Sequence, residues 1–105
     1  TIWPELNPPS YYLTMESAGH FTYSDLCIFD VEALDEAVDM DASNVLTDGC
    51  GEENIEPEIG FDLINHFSIG FFNAYLRDSP QSLSDLNQGA ADALVGNEAL
   101  LQIKD

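Results

Sequence analysis

Hydrophobic positions in this chain gather into a few dense runs separated by acidic, turn-forming stretches. Tyr11-Tyr12-Leu13-Thr14-Met15 is almost continuously apolar, and predicts a short strand of the buried, parallel kind. It leads into Ser17-Ala18-Gly19-His20, a turn of small residues that brings a histidine to the carboxyl end of the strand. Open α/β sheets place their functional groups at that edge. Residues 1–10 hold three of the five prolines and read as a connection. Beyond the histidine, Thr22 or Ser24 can cap a short helix with Asp25 in its first turn. Val31, Leu34 and Val38 fall at i, i+3 and i+7, which predicts an amphipathic helix over 30–41 with an acidic outer face. Residues 43–57 are turn-rich, punctuated by Asp48-Gly49 and Cys50-Gly51.

The strongest periodicity lies in 58–77. Phe61, Ile64, Phe67 (or Ser68), Phe71, Ala74 and Tyr75 form one stripe, widened by Leu63, Phe72 and Leu76. Glu58 and Asp62 near the start and Arg77 at the end suit the helix dipole. Asp78-Ser79-Pro80 ends it. From 79 to 105, the pairs Leu83/Leu86 and Leu100/Leu101 predict one or two short helices and a tail. One strand cannot make a sheet, and a helix with so wide an apolar face belongs against one. The pattern therefore predicts an α/β segment that is incomplete without the rest of its sheet.

Charge narrows the possible partners. Twenty acidic residues face only Arg77 and Lys104, for a net charge of −18. Nucleic acid is excluded as a partner because phosphate binding needs a cationic footprint. No apolar run approaches the ~20 residues of a membrane span. Self-repulsion on this scale weakens a compact state and is screened by salt, over ~8 Å at physiological strength and ~3 Å at 1 M. The composition points to a saline or halophilic setting. The opening Thr1-Ile2-Trp3-Pro4 has neither the basic nor the apolar region of a signal peptide.

Cys27 and Cys50 read either as a disulfide or as two free thiols. The disulfide is favoured, since it would staple an acidic loop of about 24 residues that has little core of its own. It implies a secreted or periplasmic protein. With no matching histidine pair, no zinc site is expected. Asp39-x-Asp41-x-Ser43 opens like a calcium-binding EF-hand loop, but Asn44 and Cys50 stand where that loop needs Gly and Glu. Asp62 and His66, one helical turn apart, read as a helix histidine near an acid rather than a metal pair or dyad.

The stretch from Pro9 to Cys27, with its Ser17-Ala18-Gly19-His20-Phe21-Thr22-Tyr23-Ser24-Asp25 turn, resembles the end of an α/β-hydrolase. It is most similar to dienelactone hydrolase and the platelet-activating-factor acetylhydrolase-like esterases. There the last core strand runs into a Gly-His turn followed by an aromatic, a Ser/Thr and an Asp. The segment Phe61 to Asp78, with Phe71-Phe72-Asn73-Ala74-Tyr75-Leu76, resembles the final helix of that fold. The two matches cover about a third of the chain, in the family's order.

The resemblance implies the C-terminal segment of one α/β-hydrolase domain. Residues 1–10 would be a connection, 11–20 the last core strand and histidine turn, 21–57 an acidic insertion, 58–78 the long final helix and 79–105 a tail. It further implies a carboxylic ester hydrolase with a Ser–His–Asp triad in which His20 is the histidine, acting without a cofactor on a small ester. Phe21 and Tyr23 would line the substrate pocket. The chain has no G-x-S-x-G: His66-Phe67-Ser68-Ile69-Gly70 lacks the leading Gly and falls inside the helix. Glu5 lies too close upstream to be the acid. Serine and aspartate would then come from the N-terminal part of the same hydrolase, in one gene product or as a second chain. The competing reading is an acidic, disulfide-stapled, non-catalytic binding domain, with or without bound calcium, in which His20 is incidental.

Overall fold

A computed structural model describes residues 2–29, 33, 36 and 46–105. The amphipathic helix expected over 30–41 and the Asp39–Ser43 motif lie mostly or wholly outside them. The chain is mixed helix and strand. Its contacts divide it into two units, Thr1–Glu16 with Phe67–Asp105, and Ser17–His66.

In the first unit, β1 (Ser10–Met15) pairs with β2 (Ala99–Lys104) in an antiparallel ribbon, Ser10 opposite Lys104 and Met15 opposite Ala99. This corrects two expectations. The first strand is neither parallel nor unpaired, and the tail contributes its partner. An antiparallel ribbon covered on one side alternates in environment, and β1 does so around Tyr12, which is exposed and stacks on Trp3 with centroids 5.5 Å apart. Its neighbour Tyr11 points the other way, edge-on to Phe71 at 5.4 Å, with its hydroxyl 3.0 Å from that of Tyr75. Burial, reinforced by the hydrogen bond with Tyr75, pushes the Tyr11 phenol up to about 12.

Long helix α1 (Pro57–Leu76) confirms the strongest sequence pattern within a residue at each end. Proline suits its first position, where the amide has no helical partner anyway. Asp78 follows in the left-handed region, φ 52, and the Ser79 amide bonds back to the Asn73 carbonyl at 3.1 Å. Helix α2 (Pro80–Ser84) is capped by Ser79, whose hydroxyl accepts from the Ser82 amide, with Pro80 next in line. Helix α3 (Gln88–Val95) is capped by Asn87, whose side chain accepts from the Ala90 amide at 2.9 Å, and ends at Gly96 with φ 65. Phe67, Ala74, Leu86, Ala91 and Ala99 form the buried core of this unit. Leu86 sits so close over Gly70 that a Cβ there would meet it at 2.9 Å.

Two side chains finish the unit's edges. Gln88 acts as a strand residue would: its Nε2 donates to the Ala99 carbonyl and its Oε1 accepts from the Leu101 amide, both at 2.8 Å. That occupies part of the outer edge of β2, which would otherwise invite another strand. Lys104 Nζ donates to the carbonyls of Trp3, Pro4 and Leu6 at 2.7, 3.1 and 3.0 Å and lies 4.8 Å from the Trp3 ring centroid. One of the chain's two cations thus ties β2 to the 3₁₀ turn Trp3–Glu5. Replacing Lys104 by Met removes these charge-assisted bonds and the cation–π contact while keeping the aliphatic stem. It should lower stability by about 1–2 kcal/mol and shift the emission of Trp3, the single tryptophan. An unchanged melting curve and spectrum would contradict the clamp.

Candidate functional site

The second unit is built around the turn that carries His20. Ser24 caps a 3₁₀ turn, Asp25–Cys27, accepting from the Leu26 amide at 3.3 Å, as the Ser/Asp spacing predicts. Opposite it, the segment Leu46–Cys50 bends sharply at Asp48 (φ −125, ψ 48) and Gly49 (φ 129, ψ −14). Cys27 and Cys50 stand at disulfide distance, sulfurs 2.00 Å apart, tying the two segments together. The expected pairing is the one found.

Between them runs a closed set of hydrogen bonds. Asp48 grips two successive amides: its Oδ1 accepts from His20 N–H at 2.8 Å, and its carbonyl accepts from Phe21 N–H at 2.9 Å. The Thr22 hydroxyl accepts from Gly19 N–H at 2.7 Å and donates to the Gly49 carbonyl at 3.0 Å. Thr22 is completely buried. Ser17 is held from the other side, its carbonyl accepting from the Ile55 amide at 2.9 Å and from Asn54 Nδ2 at 3.3 Å. Two glycines permit this closeness. A Cβ on Gly19 would lie 2.5 Å from the Asp48 carbonyl carbon, and one on Gly49 2.6 Å from the Thr22 amide nitrogen. Gly49 also needs its positive φ, which L side chains rarely adopt.

Thr22 holds the turn from within. Thr22→Val keeps the shape but leaves the Gly49 carbonyl without its donor and the Gly19 amide without its acceptor. It should cost about 2 kcal/mol, read as a lower urea midpoint. Thr22→Ser keeps the hydroxyl and should cost less. Equal midpoints for Val and the wild type would contradict this role.

The turn presents His20 at the surface, its ring edge-on to Phe21 with centroids 4.9 Å apart. Phe21 is half-buried and Tyr23 is 38% exposed; partial burial raises the Tyr23 phenol above its ordinary value. Of the two expected pocket residues, Phe21 meets the His20 ring, and Tyr23 stands three positions on in the sequence. Sequence reading sought an acid upstream and missed Asp48, which arrives from the far side of the loop. The only signal was Asp48-Gly49, a turn dipeptide.

Asp62 and His66 lie one turn apart on α1, Asp62 exposed and His66 half-buried. Among the described residues no group of three or more His, Cys, Asp or Glu side chains could hold a metal ion. No helix among them is long and apolar enough to cross a membrane. Compared with protein-family models, curated proteins and solved structures, the chain matches none.

Proposed function

We propose that this chain is the C-terminal segment of an α/β-hydrolase and supplies the histidine of a Ser–His–Asp carboxylic ester hydrolase. The observation that carries the reading is His20 itself: an exposed imidazole on a turn whose backbone is fixed by Asp48 and Thr22. General acid–base catalysis needs an imidazole that is accessible and held in one place. The serine and aspartate come from polypeptide outside the 105 residues, which contain no nucleophile elbow.

In the reaction, serine Oγ attacks the ester carbonyl while His20 takes its proton. The tetrahedral intermediate collapses, the C–O bond to the alcohol breaks, and His20 returns the proton to the departing alkoxide. Water then repeats the sequence on the acyl-enzyme and releases the acid. Phe21 and Tyr23 flank the site as pocket residues for the small ester. On α1, Ile69, Phe72 and Leu76, at i, i+3 and i+7, are 57, 56 and 76% exposed. They offer an apolar stripe for the remainder of the hydrolase core to cover. The cysteine pair and the charge of −18 suit a secreted or periplasmic enzyme in a saline setting.

Hydrolysis of a p-nitrophenyl ester by the polypeptide that carries this chain is the test. Loss of turnover in His20→Ala is expected, and undiminished turnover contradicts the reading.

A further inference from the structure

Asp48 holds two consecutive amides of the turn, one through its side chain and one through its backbone. It is itself held on both sides. Gly19 lies against its carbonyl, and two residues on, Cys50 is tied to Cys27. Both Asp48 and His20 are exposed. An exposed amide can bond to water instead, so this side-chain bond contributes little to stability. What it does restrict is the backbone from which the imidazole projects.

We propose that Asp48 is the positioning residue for His20, setting the attitude of the imidazole through the His20 amide. The proposal rests on the esterase reading above. Its consequence is geometric: a displacement of about 1 Å of a catalytic group costs on the order of 100-fold in rate. Loss of the carboxylate should therefore appear in kcat and leave KM in place, since the Phe21 amide keeps its bond to the Asp48 backbone carbonyl.

The intact esterase with Asp48→Ala, Asp48→Asn and His20→Ala tests this. Asp48→Ala should lower kcat by about 10- to 100-fold with KM unchanged. Asp48→Asn keeps an oxygen that can accept the His20 N–H, and should restore most of the wild-type rate. Hydrogen exchange at the His20 amide gives a readout independent of turnover: about 10-fold faster or more in Asp48→Ala, and near wild type in Asp48→Asn.

Unchanged kcat or unchanged exchange in Asp48→Ala overturns the positioning role. If Asp48→Asn is as inactive as Asp48→Ala, by about 10⁴-fold, Asp48 is acting as the triad acid and the proposal also fails. Full turnover in His20→Ala takes down both the esterase reading and the positioning role. Loss there with unchanged Asp48→Ala kinetics takes down only the positioning role.

Discussion

Replacing Cys27 and Cys50 by serine should lower the stability of the chain by about 3–4 kcal/mol, the chain-entropy value for the loop they close. The residues lie 23 positions apart in the sequence. Among the described residues of the Ser17–His66 unit, Leu63 and Thr22 are the completely buried side chains, and around His20 the chain is turns rather than regular helix or strand. Domain stabilities are commonly about 5–15 kcal/mol, so the loss would be a large fraction of the total. Urea denaturation of wild type with and without reductant, beside the double serine variant, measures it. Reduced wild type and the variant should share a lower midpoint. A wild-type midpoint indifferent to reductant would show that the cross-link does not restrain the unfolded chain.

The same cross-link shows how far the sequence could be read. Two cysteines at the ends of an acidic, core-poor loop indicate their pairing by chemistry alone, and they are found at disulfide distance. The strand at Tyr11–Met15 was legible from its aromatic and apolar run, but its partner was not. Ala99–Lys104 is six residues with one apolar pair and a late Ile103, and pairing across almost the whole chain leaves no local mark. Part of its outer edge is occupied by a side chain, Gln88, and no periodicity reports that.

Helix α1 was legible in extent and partly in orientation. The stripe read from the sequence contains Phe67 and Ala74, which are buried, but also Ile64, which is exposed, and it left the completely buried Leu63 at its margin. Gly70, which hydrophobic counting ignores, is where buried Leu86 packs closely on the helix. At the site, Gly19-His20 was visible because strand, turn and histidine are contiguous. Asp48 was not, because its role is a side-chain bond to a backbone amide, and nothing in residue type or spacing encodes that.

His20→Ala should have the largest effect of any substitution considered. The imidazole is exposed and its turn is held through backbone groups, so removing the ring leaves those bonds in place. Stability should change little. Turnover should not survive: an imidazole that accepts and returns the serine proton contributes about 10²–10⁴-fold, and without it the serine stays a weak nucleophile. A loss of about 10³-fold or more in kcat is expected, with KM nearly unchanged, since the proton transfer stabilises the transition state alone. His66→Ala, on α1 and outside the His20 turn, should retain its rate and serves as the control for losing a histidine.

The decisive measurement is the steady-state hydrolysis of a p-nitrophenyl ester by the intact polypeptide carrying this chain, wild type against His20→Ala, with folding checked by the urea midpoint. A loss of about 10³-fold or more in kcat at an unchanged midpoint is the predicted result. Equal turnover in a folded His20→Ala protein would contradict the assignment of His20 to an esterase triad.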